Sequence, residues 1–313
     1  MEVHWKIELN VLLLVFGLWI GATAQIDREQ LDSLAHDLKW GALDSAGGLY
    51  FSTYPDSSWG YYYKAKALHG LLLHDSALHY LDAFAGKQEP EYFLLFEVER
   101  GGVWNSKNRL DVADSVFRSC EARYLPNGFP NFTAAYQLYD RWAENRWFAG
   151  KPFESEELLR KGLPFIAPDD NRLIARVNNN LGIVNWQLGR FVEALNYFQD
   201  AERAYRKAYG DEDSRVAKAL NNQGVVYLDM ADNKRAQRHF DAALEILKHA
   251  ETDVNNTYFA YSNLSIIALE EERWNQALDL SQQALDLLSR GQGNAIARMM
   301  EPLEVQAAVW RGL

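Results

Sequence analysis

The sequence predicts an all-α chain: an α-α superhelix, or solenoid, of about six stacked helical hairpins with a capping helix at the N-terminal end. Three observations lead there. Small residues recur in pairs twelve positions apart, at Ala65/Ala77, Gly101/Ala113, Ala143/Ser155, Gly182/Ala194, Gly224/Ala236 and Ser265/Ala277. The first members follow one another at steps of 36, 42, 39, 42 and 41 residues, and periods of about forty mark stacked supersecondary units. Four residues beyond each second member stand Leu81, Phe117, Leu159, Phe198, Phe240 and Ser281, and three further on Phe84, Cys120, Gly162, Ala201, Ala243 and Ala284. These residues share one helical face.

Two antiparallel helices approach most closely where both carry small side chains, because the contact residues set the interaxial distance. A small residue on the first helix, A, is therefore expected to face one on the second, B, with the larger residue one turn along filling the space beside it.

Taken in order, residues 1–24 read as a signal peptide. Val11–Ile20 is a ten-residue apolar core and Ala22-Thr23-Ala24 offers a small-x-small cleavage site before Gln25. That core is well short of the roughly 20 apolar residues that span a bilayer, so export is expected, with a membrane association only if the leader stays uncleaved. Residues 25–58 hold one expected helix, Asp27 to about Tyr50, with Leu31, Leu34, Leu38 and Leu43 on its face and Gly47-Gly48 as its stop, then a linker, Ser52–Ser58, containing Pro55. Residues 59–165 carry the less regular hairpins. Pro126 and Pro130 mark one connecting loop there, and Pro164 and Pro168 mark the next. Residues 166–313 hold the regular array. Its first hairpin runs from Leu181-Gly182 to a helix stop at Gly189, then through Phe191, Ala194 and Phe198 to Ala201. Glu304–Trp310 reads as the first helix of a seventh hairpin.

These positions resemble the tetratricopeptide repeat family, whose motif places Leu-Gly early in helix A, Gly at the turn, then an aromatic, Ala, an aromatic and Ala. The sequence offers Leu181-Gly182, Gly189, Phe191, Ala194, Phe198 and Ala201, then Gly224, Tyr227, Ala236, Phe240 and Ala243, then Leu264-Ser265, Trp274, Ala277 and Ala284. The long repeat resembles the 42-residue form of kinesin light chains, as do the pairs Asn179-Asn180 and Asn221-Asn222 and the stretch Gly210–Ala217. The resemblance is strong over about 170–290, degenerate over about 60–165 and absent before residue 58. It implies a non-catalytic scaffold for a protein or an extended peptide, here acting outside the cytoplasm. Exported bacterial arrays of this kind often precede a C-terminal effector, such as a caspase-like peptidase or a sensor module, and that is the alternative. A glycan hydrolase built as a barrel of helical hairpins is a more distant one, because such barrels lack this small-residue register.

Composition fits these readings. The chain has 48% hydrophobic and 24% charged residues, as soluble folded proteins do. A net charge of −11 without a Lys/Arg cluster argues against nucleic acid. Cys120, the one cysteine, falls on a small-residue position of a helix B and reads as a core thiol. His69, His74 and His79 are spaced by five, so no two share a face of a single helix and no metal site is expected. Glu270–Glu272 reads as a solvated turn. Asn131-Phe-Thr133, Asn255-Asn-Thr257 and Asn263-Leu-Ser265 fit the glycosylation sequon, the last within a packed helix. Gly47-Gly48 and Gly101-Gly102 lack a phosphate-loop context, no cofactor motif is found, and no Ser/His/Asp or Cys/His arrangement is recognisable in the sequence.

The expected site is the concave groove lined by the A helices. Two and six positions before Gly182 lie Asn180 and Arg176, before Gly224 Asn222 and Lys218, and before Ser265 Asn263 and Phe259. Four positions after the small residues come Trp147, Trp186, Leu228 and Leu269, an apolar strip beside the amides. Together with Asn179 and Asn221, the amides and cations suit an extended peptide's backbone or a carboxylate. In family members that bind peptide tails, Lys and Asn at such offsets clamp the terminal carboxylate. The alternative is that the asparagines satisfy helix-to-helix contacts.

Overall fold

The computed structural model describes residues 28–36, 39–54, 57–84, 90–248, 253–290 and 300–312. The expected leader over residues 1–24 lies outside them. Fifteen α-helices and no strand occur among the described residues. The chain divides into two compact units, residues 1–149 and 150–313.

The first unit contains α1 (Arg28–His36), α2 (Trp40–Thr53), α3 (Ser58–Gly70), α4 (His74–Phe84), α5 (Pro90–Ser106), α6 (Leu110–Tyr124) and α7 (Phe132–Phe148). Its N-terminal end departs from the expected single helix. Two helices stand there, and Gly47-Gly48 lies inside α2 rather than ending it. Gly47 is buried, and a Cβ on it would come within 3.6 Å of the Lys64 amide nitrogen. The glycine therefore serves close approach of α2 to α3 and not a turn. Leu31, Leu43, Tyr63, Ala65, Leu81 and Phe96 form the core at this end.

The second unit contains α8 (Pro152–Gly162), a 3₁₀ turn (Leu163–Phe165), α9 (Asn171–Gln187), α10 (Phe191–Tyr209), α11 (Ser214–Asp229), α12 (Asn233–Leu247), α13 (Val254–Glu270), α14 (Trp274–Arg290) and α15 (Met300–Gly312). Asp170, Asp213, Asp232 and Asp253 cap α9, α11, α12 and α13 by accepting hydrogen bonds from first-turn amides. The expected seventh helix A is α15, whose Val305 and Val309 pack with Ala268 and Ala277. Leu303, Ala307 and Trp310 lie exposed on another face of it.

The small-residue register is real, with one refinement. A Cβ on Gly101 would lie 2.2 Å from the Phe117 ring, one on Gly182 2.5 Å from Phe198, and one on Gly224 2.6 Å from Phe240. Each glycine thus seats the aromatic ring that follows the small residue of helix B, rather than facing that small residue. The sizes compensate along the chain: Gly stands opposite Phe three times, Ala65 pairs with Leu81, and Ser265 pairs with Ser281. A second register follows. Seven residues after the small positions, Leu72, Asn108, Gly150, Gly189, Ala231 and Glu272 all have positive φ, between 56° and 72°. Each is the left-handed residue that ends a helix A, although only two are glycine.

Candidate functional site

In the second unit the A helices α9, α11 and α13 each touch the next A helix along the stack, whereas the B helices α10, α12 and α14 each pack against their own A and the next one. The A helices therefore line the more tightly packed, inner face. The eight expected site residues divide there into two groups.

Asn179 and Asn221 are only 1% and 4% exposed, which corrects their assignment to the groove surface. Asn221 donates to the Asn256 backbone carbonyl in the next helix A at 2.9 Å. Asn179 Oδ1 accepts from Asn222 Nδ2 at 2.9 Å, and its own amide donates to Asn180 Oδ1 at 3.3 Å. These amides tie neighbouring repeats together, so for these two residues the helix-contact alternative holds. Their position, three residues before the small one, turns them towards the neighbouring hairpin.

Asn180, Asn222 and Asn263, one position on, are half-buried and border the inner face. Asn263 donates back to the Phe259 carbonyl of its own helix at 2.8 Å. Arg176 is half-buried, Lys218 is exposed, and Phe259 is 43% exposed in the third repeat. Trp186 is half-buried and its indole N–H donates to Asp229 of the next helix A. The A helices of this unit thus carry two cations with some exposure, partly engaged amides and an indole edge. Trp147 belongs to the first unit.

The first unit holds a site that sequence reasoning missed. A cavity of about 180 Å³ is lined by Trp40, Lys66, His69, Glu99, Ser106 and Arg141, among others. His69 Nδ1 lies 2.6 Å from Glu99 Oε1, and His69 Nε2 lies 2.8 Å from Ser106 Oγ. Burial would raise the Glu99 carboxyl, but the His69 hydrogen bond and the charges of His69, Arg141 and Lys66 outweigh it and hold the group at about 2. Lys66 makes one long hydrogen bond, 3.3 Å to the Tyr62 hydroxyl. The turn at 71–73 separates the helices, so His69 in the last turn of α3 and His74 at the start of α4 bring their rings 5.7 Å apart. The pairing of His69 with Glu99 and Ser106 spans 30 and 37 residues and leaves no local sequence signal.

Among the described residues no group of three or more His, Cys, Asp or Glu side chains is placed to hold a metal ion. No described helix is long and apolar enough to cross a membrane. Cys120 is buried, and burial pushes its thiol up to about 12.

The tetratricopeptide repeat model matches three overlapping stretches, 133–207, 173–249 and 215–290. Together they cover just over half of the chain. The chain belongs to the tetratricopeptide repeat family. The match reaches back through α7, into the region where the motif had faded. A chain of the APC/C hetero-tetramer Cut9–Hcn1 superimposes with a TM-score of 0.65 at 15% identity, over 90% of this chain and 48% of that one. This chain therefore spans about half the length of that protein. BtubC (BKLC) from P. vanneervenii gives a TM-score of 0.55 at 19% identity, over 74% of this chain and 90% of its own. At such identities the likeness establishes the fold alone. No curated protein matches the sequence.

Proposed function

We propose that this repeat protein is a scaffold whose second unit, itself non-catalytic, holds an extended peptide segment of a partner protein along its inner face, outside the cytoplasm. The observation that carries the reading is the placement of Arg176 on α9 and Lys218 on α11, at the same offset of two successive A helices, beside half-buried Asn180, Asn222 and Trp186. A peptide laid across the stack meets a cation from each helix, amides that hydrogen-bond its backbone, and an indole wall for an apolar side chain. Repeat arrays of this family generally bind proteins rather than perform chemistry. An acidic chain, at −11, that keeps two cations on this face selects for carboxylate-bearing segments.

The site is tested by reversing both charges, Arg176→Glu with Lys218→Glu, and comparing the partners recovered from the native compartment. The double variant should keep its helical signal and lose the partners, because each charge-assisted contact is worth about 1.5–3 kcal/mol. Recovery of the same partners would refute the groove. Location rests on the apolar stretch Val11–Ile20 and on Ala22-Thr23-Ala24. Expressed with its native leader, the protein should leave the cytoplasm with Gln25 as its first residue, and N-terminal sequencing decides this. Retention of Met1 would instead support an anchored form. A scaffold that feeds an effector in a longer protein is the second reading, favoured by the exposed face Leu303, Ala307 and Trp310 on α15.

A further inference from the structure

We propose that the cavity of the first unit is a serine acyl-hydrolase site for short-chain carboxylic esters, with Ser106 as nucleophile, His69 as general base and Glu99 as the positioning residue. This goes beyond the scaffold reading and is independent of it, since every residue involved lies in the first unit.

The geometry is that of a nucleophile, a base and an orienting carboxylate in line. Ser106 Oγ is 2.8 Å from His69 Nε2, and His69 Nδ1 is 2.6 Å from Glu99 Oε1. Glu99 is 5% exposed and ionised, so it only accepts hydrogen bonds. With the imidazole proton on Nδ1, donated to Glu99, the Nε2 lone pair faces the Ser106 hydroxyl, as proton removal requires. Two helix ends assist. His69 lies in the last turn of α3 and Ser106 is the last residue of α5, so the negative ends of both helix dipoles favour the imidazolium formed when His69 takes the serine proton.

The surroundings supply the other parts of such a site. Ser106 is exposed and accessible to a substrate. Lys66 lines the same cavity and is the cation the proposal assigns to the oxyanion of a tetrahedral intermediate. A Cβ on Gly102 would stand 3.4 Å from the His69 ring and 3.6 Å from the Arg141 guanidinium, so glycine there keeps the space between them open. Arg141 also reaches Glu144, at 3.4 Å. The cavity, about 180 Å³, has room for a small acyl group such as acetyl.

The chemistry balances without a cofactor. Ser106 Oγ forms a bond to the acyl carbon while its proton passes to His69 Nε2. The ester C–O bond breaks and His69 returns the proton to the departing alcohol. Water then attacks the acyl-serine, giving a proton to His69, and the carboxylic acid leaves as Ser106 regains its hydrogen.

The test uses the purified full chain, a fluorophosphonate probe and p-nitrophenyl acetate. The probe should form a covalent phosphonyl adduct that peptide mass mapping places on Ser106. Ser106→Ala, at an exposed position, should keep the helical circular dichroism, lose the adduct and hydrolyse the ester about a hundredfold more slowly. Glu99→Gln should lower kcat while leaving KM unchanged, the signature of a lost imidazole orientation rather than a lost pocket. Absence of an adduct on Ser106, or hydrolysis by Ser106→Ala at the wild-type rate, overturns the proposal.

Discussion

Replacing Gly224 by alanine isolates the contact that sets the spacing of a hairpin. In an exposed helix this substitution stabilises by about 1 kcal/mol, because alanine loses less backbone freedom. Here the new Cβ would lie 2.6, 2.8 and 2.9 Å from three carbons of the Phe240 ring, which is fully buried. The ring cannot swing into solvent, so either it leaves its rotamer or α11 moves away from α12. Overpacking of that kind costs about 2–3 kcal/mol, for a net loss of about 1–2 kcal/mol after the propensity gain. The size compensation along the chain makes a sharper case. Phe240→Leu alone leaves a void and should cost about 1–2 kcal/mol. Combined with Gly224→Ala, it recreates the Ala65/Leu81 pairing of the first unit at the same offset. The double variant should therefore be less destabilised than the sum of the singles, with a coupling of at least about 1 kcal/mol. Urea unfolding of the four proteins measures this. A Gly224→Ala protein as stable as the wild type, or strict additivity, would refute the packing argument.

Other outcomes follow from the same geometry. Ala231 occupies the left-handed turn at φ 56°, so Ala231→Gly should raise stability by about 0.5–1 kcal/mol in the same urea assay. Burial lowers the imidazole pKa of His239, stacked on Tyr227, below 6.5, so the unfolded chain takes up that proton first. Its contribution to stability is full above about pH 6.5 and is lost as pH falls through the lowered folded value. His239→Gln should therefore flatten the decline in urea midpoint between about pH 7.5 and about pH 5.5, with the remaining slope from His74, which shifts the same way. Cys120, buried and pushed up to about 12, should resist iodoacetamide in the native protein and react once urea unfolds it.

The fold was legible because packing leaves a periodic trace. Residues that seat one helix against another recur at fixed offsets, and Gly182, Gly224, Phe198 and Phe240 read clearly without coordinates. The turn itself was legible at Gly189 and at Glu270–Glu272, the left-handed residue only at Gly189. Leu72, Asn108, Ala231 and Glu272 hold the same conformation but carry no compositional mark of it. Gly47-Gly48 misled for the converse reason, since a glycine that permits close packing resembles a glycine that ends a helix. The proposed groove cations, Arg176 and Lys218, were chosen from offset alone. Asn179 and Asn221 needed coordinates, because neighbours one residue apart on a helix point about 100° away from each other. The His69–Glu99–Ser106 cluster joins two hairpins and had no local pattern to reveal it.

The central claim is that the inner face of the second unit receives the partner. A photo-reactive phenylalanine analogue at position 186, on α9, tests it against the same analogue at position 203, an exposed site on helix B α10. Irradiation in the native compartment should trap a partner protein at position 186 and not at position 203. Trapping at 203 with none at 186 would contradict the account and place binding on the outer face.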